Sequence, residues 1–209
     1  LLFSDRGVVY CLKAYQIPTA SRTARGVPIV QMLPIPREEK ITSIVSVAEF
    51  TSDEYLIMLT ARGYIKKTEL AAFSNIRANG LIAISLEEAD QLRWVRRARE
   101  EDSIIIGTRH GMAIHFRADR DQLRPLGRAT RGVKSMSLKE GDSLISMDVL
   151  SGSVLNNAIT AETENEEENA PANIEVSEAS EDSELSTQET ELSTPTGPWI
   201  LVVTMGGFG

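Results

Sequence analysis

An all-β, propeller-like fold of four-stranded blades is predicted from three observations. The first is a recurring pair of glycines. Gly7, Gly63, Gly111 and Gly207 occur in LLFSDRGVVYCLK, YLIMLTARGYIKK, IIIGTRHGMAIHF and ILVVTMGGFG. Gly26, Gly80 and Gly132 follow in SRTARGVPIV, SNIRANGLIAI and GRATRGVKSM, at offsets of 19, 17 and 21 residues. The second is the flanking pattern. Short apolar runs alternate on either side of each first glycine, which suits pleated strands joined by a tight turn. The third is the period. Excising the polar stretch 152–198 shrinks the Gly111-to-Gly207 spacing from 96 to about 50 residues, in step with the earlier repeats. Four short strands per repeat at that period describe a blade.

The first unit covers about 1–50. LLFS enters a turn at Asp5–Gly7, and Val8, Tyr10 and Leu12 alternate with Val9, Cys11 and Lys13 after it. The loop AYQIPTASRTARG follows, then strands near Ile29–Leu33 and Ile41–Val47. The second unit, 54–100, repeats the plan with strands at Leu56–Leu59, Tyr64–Thr68, Leu81–Leu86 and Leu92–Ala98. A helix competes for the last of these, because LEEADQLRWVRRAREE is rich in helix formers. The repeat register aligns LRWVRRA with ITSIVSV and LISMDVL, and favours the strand. The third unit, 102–150, has strands at Ile104–Ile106, Met112–Phe116, Val133–Leu138 and Leu144–Leu150, with the basic loop RADRDQLRPLGRATRG in the middle. By alternation, the faces Val8/Tyr10/Leu12 and Met112/Ile114/Phe116 are core, and the opposite face looks outwards.

Residues 151–198 differ in kind. This segment is rich in Glu, Ser, Thr and Asn and poor in large apolar groups, so it cannot bury enough surface to offset the entropy of ordering. It reads as a disordered insert between blades. The strand pattern resumes at Trp199–Thr204, so 199–209 is expected to be the first hairpin of a further blade. Both ends of the sequence cut through hairpins, which suggests a piece of a longer protein.

Composition narrows the function. The net charge of −8 conceals a division: 12 acidic and no basic side chains lie between Gly152 and Pro198, leaving 18 acidic and all 22 basic ones elsewhere, a net of +4. The single cysteine, Cys11, cannot form an internal disulfide, and no Cys/His cluster has zinc spacing. His110 and His115 lack a third ligand, and Asp119 and Asp121 sit among arginines in a turn-like stretch. No GxxxxGK loop is present. No signal peptide or membrane-length apolar run is evident, and the expected setting is cytoplasmic.

The stretches FSDRGVVYCLKAYQIPTASRTARGVPIVQMLPI, TARGYIKKTEL and GRATRGVK closely resemble the C-terminal domain family of DNA gyrase A subunits, over 1–150 and 199–209. The resemblance implies a six-bladed β-pinwheel whose neighbouring blades exchange strands, of which this chain holds about three blades and the start of a fourth. It also implies a basic rim that binds, bends and wraps double-stranded DNA without reading its sequence, in support of ATP-dependent supercoiling by the parent enzyme. Its protein partners would be the B subunit, together with the other domains of its own polypeptide. ATP and Mg2+ would act elsewhere in that enzyme, so no cofactor and no catalytic residue are expected here. The gyrase-A box, a glutamine with two arginines and a glycine-rich stretch, is absent from the sequence, and the family places it in a blade upstream. The corresponding domain of topoisomerase IV is therefore an alternative, as is a protein-binding propeller.

On this reading the DNA contacts are loop cations: Arg22 and Arg25 in SRTARG, Arg77 in SNIRANG, and Arg128, Arg131 and Lys134 in GRATRGVK. Glycine beside each loop would let backbone amides approach a phosphate. Lys13, Lys67 and Arg117, on the outward face of each second strand, would add to the rim, whereas Lys66 breaks the alternation. The run Arg93, Arg96, Arg97 and Arg99 is flanked by Glu87, Glu88, Glu100 and Glu101 and reads first as a solvated face. The acidic insert, tethered beside a basic rim, could compete with DNA at high effective concentration, or be no more than a solubilising linker. If it competes, deleting residues 152–197 will tighten DNA binding in a fluorescence titration; unchanged affinity would reject the idea.

Overall fold

The computed structural model describes residues 1–153, in which eleven strands form three antiparallel sheets. The first sheet is ordered β3 (Ile41–Ile44), β1 (Leu2–Ser4), β2 (Val8–Tyr10), β6 (Leu81–Ile82). The second is ordered β10 (Val133–Lys134), β5 (Tyr64–Glu69), β4 (Tyr55–Thr60), β7 (Leu92–Ala98). The third is ordered β11 (Leu144–Leu150), β8 (Ser103–Thr108), β9 (Ala113–Arg117). The two four-stranded sheets each borrow one edge strand from the following sequence repeat. β6 pairs with β2 through Val8↔Ile82 and Val9↔Leu81, and β10 pairs with β5 through Val133↔Ile65 and Lys134↔Tyr64. The stretch Leu92–Ala98 is a strand, because its partner β4 supplies a full ladder from Tyr55↔Ala98 to Thr60↔Leu92.

The repeated turns share one chemistry. Gly7, Gly63 and Gly111 donate their N–H to the carbonyls of Ser4, Thr60 and Thr108, at 3.0, 3.0 and 3.1 Å. The hydroxyls of those same residues accept from Val8, Tyr64 and Met112 N–H, at 3.3, 3.1 and 3.2 Å. A Ser or Thr three residues before the glycine therefore closes each hairpin from both its backbone and its side chain.

Packing follows the alternation of β4. Leu56 and Met58 join Leu1, Phe3, Val9 and Val45 in one core, with Phe3 meeting Phe73 edge-on at 6.4 Å. Ile57 and Leu59 face the other way, into a second core with Ile65, Ile104, Ile106, Leu123 and Met147. All six residues of β4 are buried. Each such aliphatic side chain contributes about 1.5–3 kcal/mol of burial, so the middle sheet is stabilised on both faces. A blade between two blades buries both faces of its central strand.

Several expected strands are shorter than the sequence pattern, and one is replaced. Leu81–Leu86 contracts to β6, Val133–Leu138 to β10 and Ile41–Val47 to β3. Ile29–Leu33, expected as a strand, begins with a single 3-10 turn, Ile29–Gln31. Its counterparts β6 and β10 draw their hydrogen bonds from a preceding sheet. Among the described residues no strand flanks Ile29, and the segment bonds to itself through Gln31 N–H to Pro28 O and Met32 N–H to Ile29 O, at 3.0 and 2.9 Å. Met112, expected in the core, is 47% exposed. Nearly all of the acidic insert, and the strand expected at 199–204, lie outside the described residues.

Candidate nucleic-acid interface

The middle sheet overturns one expected contact. Lys67 does not point outwards: it is fully buried, like its neighbour Lys66. The cause is the two-sided covering of β5, which puts both faces of the strand inside. Lys67 donates to Glu100 Oε1 at 2.9 Å and to the Ala118 carbonyl, and its ammonium lies 4.1 Å from the Tyr55 ring centre. Burial works to raise the Glu100 pKa, but hydrogen bonds from Lys67 and Tyr55 and the nearby charges of Lys67 and Arg120 outweigh it and hold that pKa below the usual range. Lys67 is thus a latch between the second and third sheets. Two adjacent lysines in one strand were a visible sign that alternation fails there, since both cannot face water.

Lys66 shapes the basic loop. Its ammonium donates to the carbonyls of Ala83 at 2.6 Å, of Gly127 and Thr130 at 3.2 Å each, and of Arg128. Ser85 Oγ takes the intervening carbonyl, Ala129 O, at 3.1 Å. Burial draws the Lys66 pKa down to about 8, and the ring of carbonyls favours the charged form. Four successive carbonyls, 127–130, are therefore held by Lys66 and Ser85. In a trans peptide the N–H points opposite to the C=O, so the amides of residues 128–131 are turned away from those anchors. Such amides, in a loop carrying Arg128 and Arg131, suit an anion.

Gly132 ends this loop at φ 94°, and a Cβ there would lie 2.4 Å from the Ile65 carbonyl oxygen. Gly80 stands likewise against Val8 and Tyr10. These glycines let a donated strand lie close on the preceding unit. The close approach that was expected toward a phosphate is made to protein.

The predicted cations fall into two groups with neighbours and a scattered remainder. Arg77 and Arg128, from successive loops, line one groove of about 520 Å³ with Ser74, Asn75 and Leu81. Neither guanidinium has an acidic partner among the described residues. Arg131 and Lys134 flank Tyr64, 4.7 and 5.0 Å from its ring centre. Lys134 Nζ also donates to the Arg62 carbonyl at 2.9 Å, and Arg131 pairs with Glu87. Arg62 and Tyr64 line this second groove with Lys134. Sequence reasoning missed both, although Arg62 stands in the same DRG/ARG turn that marked the repeat. Lys13, Arg22 and Arg25 are exposed in the first unit, and Arg117 is exposed on β9; none of the four lines either groove. Arg96 and Arg97 of β7, and Arg99 just after it, pair with distant carboxylates. Arg97 grips Glu54 through two bonds of 2.7 and 2.6 Å, Arg99 reaches Glu54 at 3.4 Å, and Arg96 meets Asp148 at 3.3 Å.

Among the described residues no group of three or more His, Cys, Asp or Glu could hold a metal ion. Cys11 is a free thiol of intermediate burial.

Residues 1–48, 54–99 and 102–151 match the family described as DNA gyrase C-terminal domain, beta-propeller. The chain belongs to that family. It is 64% identical over its whole length to the DNA gyrase A protein of Synechocystis, of which it covers 23%. It is 51% identical over 150 residues, 72% of the chain, to a probable chloroplastic/mitochondrial DNA gyrase A protein of Oryza sativa, of which it covers 16%. The chain therefore spans a quarter or less of these curated relatives. Among solved structures, the C-terminal domain of DNA topoisomerase IV superposes with a TM-score of 0.63 at 30% identity, covering 72% of this chain and 46% of that one. A DNA gyrase A C-terminal domain superposes with a TM-score of 0.58 at 28% identity, covering 70% and 45%. The far higher identity to gyrase A proteins does not favour the topoisomerase IV alternative.

Proposed function

We propose that this chain binds and bends duplex DNA through phosphate contacts, without reading sequence, as part of the C-terminal domain of a gyrase A protein. On this reading it serves a parent enzyme that supercoils DNA at the expense of ATP. Its partners there are the gyrase B protein and the remaining domains of its own polypeptide. It works in the cytoplasm, on the chromosome; no helix among the described residues is long and apolar enough to cross a membrane. The observation that carries the reading is the groove shared by Arg77 and Arg128, cations from successive loops with no acidic partner among the described residues. Arg131 and Lys134 follow Arg128 within a few residues of sequence, and the amides of the loop that Lys66 organises add further donors. Lys13, Arg22, Arg25 and Arg117 extend the contact as exposed cations. Lys67 takes no part.

Bending a few tens of base pairs costs on the order of 1–6 kcal/mol, so several weak contacts must act together. Affinity should then fall steeply and linearly on a plot of log affinity against log salt, and vary little between sequences. Replacing Arg77 and Arg128 together by Gln is expected to flatten the plot by about one unit for each arginine. A slope unchanged by the double variant, or a flat plot for the parent chain, would overturn the proposal.

A further inference from the structure

The second groove contains a carboxylate whose place needs explaining. Glu87 lines it with Arg62, Tyr64 and Lys134, and pairs with Arg131. Asp142 lines it too, but its Oδ1 is taken by turn amides, from His110 at 3.0 Å and Ser143 at 2.8 Å. Among the described residues the Glu87 carboxylate has no such amide, and its partner is the arginine. Nor is Glu87 on a loose arm. The preceding residue, Leu86, packs against the first core, and the Glu87 carbonyl accepts Asp90 N–H at 3.1 Å. Asp90 Oδ1 in turn accepts Arg62 N–H at 3.0 Å, tying the loop to the turn before Tyr64.

A carboxylate held on a guanidinium occupies the direction from which a phosphate oxygen would approach, because both anions use the same fork of N–H donors. The pair is half exposed, with Arg131 at 51% and Glu87 at 35% side-chain exposure. Such pairs are weak, so this one can open. We infer that Glu87 is a built-in competitor for phosphate at Arg131. It keeps the Arg131–Tyr64–Lys134 cradle closed to weakly held anions, and yields to a polyanion that brings several phosphates at once. The inference deepens the proposed function and rests on it.

The test uses the full chain, mixed-sequence duplex DNA and fluorescence anisotropy over a range of KCl concentrations. Glu87→Gln should tighten binding about two- to fivefold, the scale of one exposed ion pair, and steepen the log–log salt plot by up to about 0.9, one further phosphate contact. Glu88→Gln removes the same charge from the same loop without touching Arg131, and should change affinity less than about twofold. In an Arg131→Gln background, Glu87→Gln should lose most of its effect. Equal gains from the Glu87 and Glu88 variants would reduce the effect to net charge and overturn the inference, while leaving the DNA reading in place. So would a Glu87→Gln gain that survives loss of Arg131, or no gain at all. Absence of salt-dependent binding by the unaltered chain would overturn the proposed function and this inference with it.

Discussion

Gly132→Ala will destabilise the fold by roughly 2–6 kcal/mol, combining a left-handed backbone forced on a residue with a Cβ and overpacking of a filled site. The glycine sits at φ 94°, where its missing Cβ would meet the Ile65 carbonyl oxygen at 2.4 Å, the carbonyl carbon at 2.9 Å and Lys66 Cβ at 3.1 Å. These are mostly backbone atoms of β5 and cannot swing aside. Gly26 is the internal control. Its φ is 74°, but an added Cβ would have no heavy atom within 4 Å. Gly26→Ala should therefore bear the backbone strain alone, about 1–2 kcal/mol. Urea denaturation followed by circular dichroism separates the two through their midpoints. Equal losses would show that the close approach to β5 contributes nothing.

Lys66→Met is the second large effect. It keeps the length of the side chain but leaves the carbonyls of Ala83, Gly127, Arg128 and Thr130 without their shared donor. A buried polar group stranded in this way costs about 1–3 kcal/mol, so a loss of roughly 2–4 kcal/mol is expected at neutral pH. The basic loop, freed of its anchor, should also bind DNA less tightly. The pH dependence has a definite sign. The folded-state pKa is about 8, against an ordinary 10.5. Below pH 8 the ammonium is charged in both states and carries its desolvation penalty in the fold. Between about 8 and 10.5 the unfolded chain binds more protons, so wild-type stability rises with pH by up to about 1.4 kcal/mol per unit. The Met variant lacks this gain, and its deficit should widen from pH 8 to pH 10. Denaturation at several pH values checks it; a deficit that narrows would contradict the assignment.

Much of the fold was legible because it is local. A turn needs a residue free to adopt positive φ, and the six glycines of the described repeats announced theirs; all six have φ between 74° and 94°. The strand at Leu92–Ala98 was legible through register against its repeats, although its composition suits a helix. The residues that gave the family resemblance were in plain view too. The Ser4, Thr60 and Thr108 hydroxyls, a recurring signal three positions before each turn glycine, were overlooked. The candidate site was read less well. Arg77, Arg128, Arg131 and Lys134 were named from the loops, but nothing local distinguished Arg77, without an acidic partner among the described residues, from Arg131, held by Glu87 across 44 residues.

The amino-acid sequence determined where the chain turns, which runs extend and how often the pattern repeats, since each depends on residues a few positions apart. The tertiary structure alone decided that each of the first two sheets ends on a strand from the next repeat, that Lys66 and Lys67 lie inside, and which arginines are already neutralised. The reason is that burial and charge pairing are set by what packs against a strand. In stacked blades that partner comes from a neighbouring repeat, on both faces at once.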